Sequence, residues 1–355
     1  MKRKCRYGIF VLLNGIISLF IAGCAAENST IYDPNASANT SAAEYSVPET
    51  PLGNIVNEIM GPFLSHGRKA EEFNDLALFR FADTSDGSDL DSKQLPIHDG
   101  TMQADLNVLV FSAQQKTEAV SGIFVLIWNG QVYDFTLNGS PSVNGACSIE
   151  CQYNTDANYA FSAENLPIEK GDNTMYLCFI PYIPQTGEYL TAQRFIGHYH
   201  AGQASTGRSP LDITEEHDLN SDRISVFTER AGADRTNDVN PAHIIRRSAS
   251  SYTLHQNPSY FLNIANFADA ETSDNRSGLV MFCDNGKMQA VWNDNYYASV
   301  SVAEKEYRKT LVIDTAFQAG ETHNVCMIYA ELTNDRHPED ELYIYSAACA
   351  CTIEE

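Results

Sequence analysis

Two stretches of this chain resemble each other closely: Ser121-Gly-Ile-Phe-Val-Leu-Ile-Trp-Asn-Gly130 and Ser277-Gly-Leu-Val-Met-Phe-Cys-Asp-Asn-Gly286. Each begins with Ser-Gly, continues as an apolar run and ends with Asn-Gly. Asn and Gly tolerate the positive φ that both central residues of a type I′ turn require, and this turn matches the twist of paired strands. The sequence therefore predicts one β-hairpin in each half of the chain, with residues 123–128 paired to 131–137 and residues 279–284 paired to 287–292.

The similarity between the two halves extends beyond the hairpins. A shift of 156 positions, the interval from Ser121 to Ser277, places Leu106-Asn107 on Leu262-Asn263 without a gap. A shared order of apolar segments and turn signals at a fixed interval is typical of an internal duplication. We therefore expect two related domains in the body of the protein.

The predicted fold class is mainly β, with two tandem antiparallel β-sandwich domains of immunoglobulin-like architecture. Short apolar segments alternate with turn signals, and no long segment has a helical period. An up-and-down barrel is the structural alternative. The predicted domains cover residues 54–204 and 205–355, with the boundary in a polar stretch that contains Ser209-Pro210.

The N-terminal segment has the features of a secretory signal. A basic start at Lys2 to Arg6 precedes an apolar run and then small residues. The ending Ile21-Ala22-Gly23-Cys24 resembles the lipobox of bacterial lipoproteins. That resemblance implies removal of residues 1–23 as a signal peptide, diacylation of the Cys24 sulfur, and anchoring in a bacterial membrane through the attached lipid. We therefore expect the protein in the cell envelope, outside the cytoplasm.

Residues 24–53 are predicted to form a flexible linker between this anchor and the body. The segment is rich in Ser, Thr, Asn, Ala and Pro and contains few large apolar residues. Residues 54–64 then show near-helical apolar spacing, but Gly61-Pro62 is expected to end any helix early. A short helical or irregular segment is thus predicted at the start of the body.

Charge excludes one class of partner. The chain has 23 basic and 46 acidic residues, and the predicted signal peptide removes four basic residues and no acidic ones. A nucleic acid or a bare anionic membrane surface would repel so acidic a body. We therefore expect no nucleic-acid partner.

The nine cysteines do not form an obvious disulfide framework. Cys5 lies in the predicted signal and Cys24 is assigned to the lipid, which leaves an odd number. Cys178, Cys283 and Cys326 lie in apolar runs typical of small buried residues. We expect most of the cysteines to remain unbridged.

No familiar catalytic motif is present in the sequence. It contains no Gly-x-Ser-x-Gly, no His-Glu-x-x-His, no phosphate-binding loop and no Cys-x-x-Cys. We therefore predict that the protein is not an enzyme. A glycoside hydrolase is the least excluded class, because two dispersed carboxylates suffice for that chemistry.

Three groups of residues are candidate sites. Asp83, Asp86, Asp89 and Asp91 surround Gly87 and could supply oxygen ligands to calcium, although their spacing departs from the usual calcium loop and a solvated acidic loop is the alternative. His198 and His200 would share one face of a strand and could begin a transition-metal site that needs a third ligand from elsewhere; the alternative is the solvent face of an edge strand with Tyr199 toward the core. The aromatic candidates for ligand binding, with core packing as the alternative, are Trp128, Trp292, Tyr296 and Tyr297. Apart from a calcium ion, no cofactor is expected.

These features favour a membrane-anchored lipoprotein that acts as a surface binding or adhesion module without catalytic activity. Its partner would be a surface protein or a glycan. The first alternative is a surface lipoprotein that binds carbohydrate, with or without hydrolysing it. The second is a structural spacer or assembly subunit with no ligand of its own.

Overall fold

The computed structural model describes residues 45–202, 251–254, 259–265, 276–291, 294–302, 308–314, 320–334, 342 and 344–353. The predicted signal peptide, Cys24, most of the predicted linker and the predicted domain boundary lie outside these residues. Among the described residues, no helix is both long and apolar enough to cross a membrane.

The described chain begins with a helix, α1 (Pro51–Ser65). Thr50 caps it, because its Oγ1 accepts a hydrogen bond from the Gly53 N–H at 3.1 Å. The sequence prediction that Gly61-Pro62 would end the helix early is wrong, since the helix continues through Pro62 to its end. Leu52, Val56 and Met60 form a fully buried stripe, and this tertiary packing offsets the hydrogen bond that proline cannot donate.

The predicted linker also differs from the structure at its C-terminal end. Tyr45 and Val47 pack against the same apolar cluster as α1, and the Leu52 side chain within the predicted linker is fully buried. The packed body therefore includes at least residues 45–53. The polar composition of this segment concealed the few apolar side chains that attach it.

The strands of the first half follow α1 and a 3₁₀ turn at Ala70–Glu72. They are β1 (Leu76–Ala82), β2 (Ile97–His98), β3 (Thr101–Phe111), β4 (Ala119–Trp128), β5 (Gln131–Tyr133), β6 (Thr136–Leu137), β7 (Ser140–Pro141), β8 (Ala146–Gln152), β9 (Ala157–Ala163), β10 (Gly171–Ile183), β11 (Glu188–Tyr189) and β12 (Gln193–Ala201).

These strands form two antiparallel sheets. The first sheet has the order β1-β3-β9-β6-β7, with β2 also paired to β3. The second sheet has the order β11-β10-β4-β5, with β12 beside β10 and β8 beside β4. Side chains from both sheets fill one core, in which the Phe124 and Phe179 rings stack at 4.5 Å between centroids. The α1 helix covers the other face of the first sheet at Leu78, Leu109 and Phe111.

The described strands of the second half are β13 (Ser251–Leu254), β14 (Ser259–Ala265), β15 (Arg276–Asp284), β16 (Lys287–Gln289), β17 (Ala298–Val302), β18 (Arg308–Asp314), β19 (Thr322–Asn334) and β20 (Ile344–Ile353). The third sheet has the order β13-β20-β19-β15-β16, with β17 also paired to β15. Strands β14 and β18 pair with each other. Within the described residues the pairings are antiparallel except for β13 with β20 and an isolated bridge between Val110 and Tyr153. The predicted mainly β fold class is confirmed.

The internal repeat is visible in the strand pairing. In the first half β4 pairs with β5, β8 and β10, and β10 pairs with β12. In the second half β15 pairs with β16, β17 and β19, and β19 pairs with β20. The antiparallel pair β3–β9 corresponds likewise to β14–β18. The two halves therefore share a strand arrangement as well as a sequence pattern.

Both predicted turns have the expected backbone. Asn129 and Gly130 have φ of 48° and 82°, and Asn285 and Gly286 have φ of 47° and 74°. The predicted second strand of the first hairpin is too long, because its pairing with β4 ends at Tyr133. The chain then crosses to the first sheet, where β6 pairs with β9, because Phe135 is buried in the core between the two sheets.

The two halves are joined by a second apolar core. The side chains of Ile123, Val125 and Ile127 on β4 point away from the first sheet and pack in one cluster with β15 and β19. Met281 and Ile328 lie in the same cluster and are fully buried. Strands β4 and β10 are therefore buried on both faces, which explains why their sequences are continuously apolar rather than alternating.

The described cysteines agree with the prediction that most are unbridged. Cys147, Cys151, Cys178, Cys283 and Cys326 are buried thiols. Burial raises the pKa of Cys151 to about 11 and also raises the pKa of Cys178 and Cys283. Thiols with raised pKa in an apolar environment behave as small packing residues rather than nucleophiles.

Candidate functional site

Trp128, the first predicted binding aromatic, belongs to the core. Its side chain is 1% exposed and its Nε1 donates a hydrogen bond to the Pro167 carbonyl oxygen at 2.9 Å. The assignment of Trp128 to a ligand site is therefore wrong. The residue lies on the face of β4 that points toward the first sheet, and strand alternation rather than its nearness to the turn decides its environment.

The other predicted aromatics are described only in part. Trp292 lies outside the described residues. Tyr296 is partly exposed. Tyr297 packs against the core between the halves, and its hydroxyl donates a hydrogen bond to the Asn144 carbonyl oxygen at 2.5 Å. Burial raises the pKa of the Tyr297 hydroxyl, so this side chain contributes to the junction of the two halves.

The acidic loop uses its carboxylates within its own turns. Asp83 Oδ1 accepts hydrogen bonds from the Ser85 N–H and hydroxyl, and Asp86 Oδ1 accepts one from the Ser88 N–H. These bonds lower the pKa of Asp83 and of Asp86. Asp91 Oδ1 accepts from the Lys93 N–H in the same manner, and Asp89 forms an ion pair with Arg80.

Among the residues that the structure describes, no three His, Cys, Asp or Glu side chains form a group that could hold a metal ion. His198 and His200 share one face of β12 and Tyr199 packs against the core, as expected. His198 Nδ1 contacts Thr174 Oγ1 at 3.3 Å and His200 Nδ1 contacts Asp172 Oδ1 at 2.8 Å. Each imidazole thus has a partner on the adjacent strand.

A polar surface lies on the outer face of the first sheet, beyond the part that α1 covers. The register aligns Arg80 of β1 with Asn107 of β3, and Asn107 with Asn158 of β9. Asp156, just before β9, lies on the same face next to the N-terminus of α1. We call these four residues, Arg80, Asn107, Asp156 and Asn158, the polar patch.

The polar patch contains buried polar atoms that lack hydrogen-bond partners. Among the described residues, Arg80 Nε, Asn107 Oδ1 and Asp156 Oδ1 are inaccessible to solvent and form no hydrogen bond. Native proteins satisfy nearly all such atoms, because each one left unpaired costs about 1–3 kcal/mol. Three such atoms lie on one face of neighbouring strands, where the surrounding side chains cover them.

The surroundings hold these side chains in place. The Arg80 guanidinium forms an ion pair with Asp89 and donates a hydrogen bond to the Gly87 carbonyl oxygen at 3.4 Å. The Asp156 carboxyl is hydrogen-bonded to Thr50, the capping residue of α1. Burial raises the pKa of Asp156, while the Thr50 hydrogen bond and the Arg80 charge oppose that rise.

The polar patch remains open on one side. Asn158 and Ala160, which share this face of β9, are exposed. Asp105 and Gln103 continue the same face of β3, where Asp105 is partly exposed and Gln103 is exposed. The exposed part of this face therefore consists mainly of Gln103, Asn158 and Ala160.

A second, shallow groove lies at the opposite edge of the sandwich. Its lining includes Val132, Tyr133, Asp134, Glu164 and Asn165. None of its polar side-chain atoms is among the buried unpaired atoms of the described residues. The groove is therefore a weaker candidate than the polar patch.

The sequence interpretation missed the polar patch, although one signal was present. Arg80 interrupts the apolar strand 76–82, and Asn107 interrupts the apolar strand 101–111 at an alternating position. Neither pattern reveals that the two residues are neighbours. That alignment depends on how β1, β3 and β9 pair, which only the tertiary structure provides.

Comparisons with known proteins assign no family. No family model matches the chain, and no curated protein matches it. Similar solved structures include the N-terminal domain of PorA, at 13% identity over 36% of this chain and 100% of that chain, with a TM-score of 0.24. They also include the periplasmic chaperone SfaE, at 8% identity over 79% of this chain and 100% of that chain, with a TM-score of 0.21.

A third similar structure is the CupB6 tip adhesin from Pseudomonas aeruginosa, at 10% identity over 79% of this chain and 98% of that chain, with a TM-score of 0.20. TM-scores this low carry no argument about function. The assignment of a role therefore depends on the residues of this chain.

Proposed function

We propose that this protein is a lipid-anchored binding or adhesion module of the bacterial cell envelope and has no catalytic activity. The observation that supports binding is the polar outer face of the first sheet, where the exposed residues Gln103 and Asn158 lie on the same face as Arg80 and Asn107. The lipobox resemblance at Cys24 supports the anchor. An open sheet face suits recognition, whereas catalysis usually requires a cleft that surrounds the reacting atoms.

The double burial of β4 and β10 supports the same proposal. Because one apolar core joins the two halves, the body can present a fixed surface at the end of its linker rather than two independently moving domains. A fixed surface loses less conformational entropy on binding. The structural-spacer alternative also fits a rigid body, but it leaves the polar patch without a role.

Lipid attachment is tested by metabolic labelling with a radioactive fatty acid. The wild-type chain should be labelled and should fractionate with membranes, and Cys24→Ser should lose the label. Labelling of Cys24→Ser, or no labelling of the wild type, would refute the anchor.

Binding is tested with beads that carry the mature protein, incubated with intact bacteria and with separate polysaccharide and protein fractions of their envelope. We expect retention that Asn158→Ala weakens and that Glu164→Gln, in the shallow groove, does not change. No retention of any fraction would refute the binding role. Release of sugar from the polysaccharide fraction would refute the absence of catalysis.

A further inference from the structure

We propose that residues 45–65, which include α1, form a releasable strap: tension on the membrane anchor detaches them from the first sheet while the β strands stay folded. We call this segment the N-terminal strap. The inference goes beyond binding, and its mechanical part rests on the proposed lipid anchor at Cys24. It starts from the order of the chain, because α1 is the first helix or strand of the described residues after that cysteine.

The N-terminal strap has an apolar core of its own. The side chains of Leu52, Val56 and Met60 are fully buried in a cluster with Leu78 and Leu109 of the first sheet. This cluster shares no residue with the core between the first and second sheets or with the core between the two halves. Loss of the contacts of the strap therefore leaves both other cores intact.

Polar contacts add little to this attachment. Glu58 is the only charged residue of α1, and it is exposed. The Asp156 carboxyl is hydrogen-bonded to Thr50, and Gln115 Nε2 donates a hydrogen bond to the Ser46 carbonyl oxygen at 3.4 Å. Residues 45–65 contain no strand, so the strap lacks the regular ladder of hydrogen bonds that joins β1 to β3. Its attachment therefore depends mainly on apolar packing.

The α1 helix is also weak on its own. It has 15 residues, about the length at which even good helix-forming sequences are marginal in water. Gly53 and Gly61 lower its helix propensity, and Pro62 inside it cannot donate a backbone hydrogen bond. A helix this weak does not persist away from the sheet, so the strap opens as one unit.

Opening lengthens the connection to the anchor and uncovers apolar surface. Extended, the 15 residues of α1 span up to about 50 Å, compared with about 22 Å as a helix. The side chains of Leu78, Leu109 and Phe111 on the first sheet then contact solvent. Burying these side chains again favours reattachment when the tension falls. The N-terminal strap is thereby a reversible extension between the body and the membrane.

Hydrogen exchange of the mature protein, followed by mass spectrometry, tests the opening. We expect the amides of α1 to exchange at least about tenfold faster than those of β4, and with less dependence on urea, because opening of the strap exposes less surface than global unfolding. Met60→Ala should accelerate α1 exchange roughly thirtyfold or more by removing buried contacts. Pro62→Ala should slow it roughly tenfold by restoring a helix hydrogen bond.

Ile328→Ala is the matched control, because Ile328 lies in the core between the halves. This change destabilises the attached and the detached states of the strap equally, so β4 exchange should accelerate roughly a hundredfold while α1 exchange stays the same. Equal exchange of α1 and β4 in the wild type, or equal acceleration of both by Ile328→Ala, would overturn the inference. In either case α1 would open only with the whole body.

Single-molecule pulling between residue 24 and the C-terminus tests the response to tension. A first lengthening of roughly 30 Å or more should precede the unfolding of either half, and Met60→Ala should lower the force at which it occurs. A first step that releases a whole half would overturn the mechanical role.

Failure of this inference differs from failure of the proposed function. The exchange experiment needs no lipid, so an absence of Cys24 labelling would refute the anchor and leave the opening of the strap intact. Exchange of α1 only through global unfolding would refute the strap and leave the anchor and the binding role intact.

Discussion

Asn129 and Asn285 make the same pair of hydrogen bonds in the two halves of the protein. The Asn129 N–H donates to the Thr174 carbonyl oxygen at 2.9 Å, and Asn129 Oδ1 accepts from the Thr174 N–H at 2.9 Å. The Asn285 N–H donates to the Asn324 carbonyl oxygen at 2.8 Å, and Asn285 Oδ1 accepts from the Asn324 N–H at 3.0 Å. Each asparagine therefore shapes its turn and also attaches that turn to the neighbouring strand of its sheet, β10 in the first half and β19 in the second.

Asn138 makes the same pair of hydrogen bonds with Ala160. The Asn138 N–H donates to the Ala160 carbonyl oxygen at 2.8 Å, and its Oδ1 accepts from the Ala160 N–H at 2.7 Å. A left-handed Asn has its backbone and side chain directed to the same side, so it can extend a sheet by one bonded pair. This accounts for the choice of Asn over Gly at these positions.

Replacing Asn129 with Gly should lower the free energy of unfolding by about 1 kcal/mol more than replacing Asn165 with Gly. Asn165 also has positive φ, but no comparable side-chain bond is found for it among the described contacts. Both changes raise the entropy of the unfolded chain equally, so their difference isolates the two side-chain hydrogen bonds of Asn129, which its Oδ1 accepts from Thr174 and its Nδ2 donates to Asn173. Urea denaturation measures it, and equal effects of the two changes would contradict this role.

Ile328→Ala should destabilise the whole body by about 3 kcal/mol, because Ile328 is fully buried in the core between the halves. Val143→Ala is the matched control, since Val143 is 71% exposed and its loss should change stability by less than about 0.5 kcal/mol. The two halves should unfold in one transition of the wild type. Two separate transitions, with only one affected by Ile328→Ala, would show that this core does not couple them.

Asp156→Asn should change how stability depends on pH. Burial raises the pKa of Asp156 in the folded protein, so the folded state holds this proton more tightly than the unfolded state. The stability that the protonated Asp156 carboxyl contributes is fully present below its unfolded pKa of 3.8. It is lost as the pH rises through the raised pKa of the folded state. The melting temperature of the Asn variant minus that of the wild type should therefore increase as the pH is raised from 3.5 to 7. A constant difference would contradict the raised pKa.

Asp284 and His323 should show strong energetic coupling. Both side chains are nearly buried, and Asp284 Oδ2 lies 2.7 Å from His323 Nδ1. Burial raises the pKa of Asp284, and the His323 interaction opposes that rise. Removing either partner leaves the other buried, so His323→Gln alone should cost about 3 kcal/mol.

The double variant Asp284→Asn with His323→Gln should cost at least about 1 kcal/mol less than the sum of the two single variants, as a double-mutant cycle in urea would reveal. Simple additivity would refute the coupling. The first half has Trp128 and Asn173 just before the corresponding paired residues, Asn129 and Thr174. The Asp284–His323 pair is therefore a feature of the second half alone at this position.

Calcium should leave the melting temperature of the mature protein unchanged relative to EDTA. The carboxylates of Asp83, Asp86 and Asp91 accept hydrogen bonds from their own turns, and Asp89 is paired with Arg80. A calcium-dependent rise that Asp86→Asn abolishes would instead establish a cation site in this loop.

The hairpins could be predicted from the sequence because their cause is local. At Asn129-Gly130 and Asn285-Gly286 the residue types alone allow positive φ at two consecutive positions, and the apolar runs on either side indicate strands. The duplication is equally visible, since it is a comparison of residue types at a fixed interval. The lipobox resemblance at Cys24 is also a property of four consecutive residues.

The candidate site could not be predicted because its residues meet only through strand pairing. Arg80, Asn107 and Asp156 come from three separate segments, and their sequence contains no motif that connects them. Trp128 shows the converse error, because its position beside a turn suggested exposure whereas the packing of two sheets buried it.

The sequence by itself thus determined the mainly β class, the two Asn-Gly turns and the repeated order of strands, because backbone φ preferences and apolar patterning act over a few residues. Only the tertiary structure decided that β4 and β10 are covered on both faces, that the chain leaves the hairpin at Tyr133, and that α1 continues through Pro62. These outcomes depend on which apolar surfaces meet across the chain. Burial of those surfaces outweighs the local preferences.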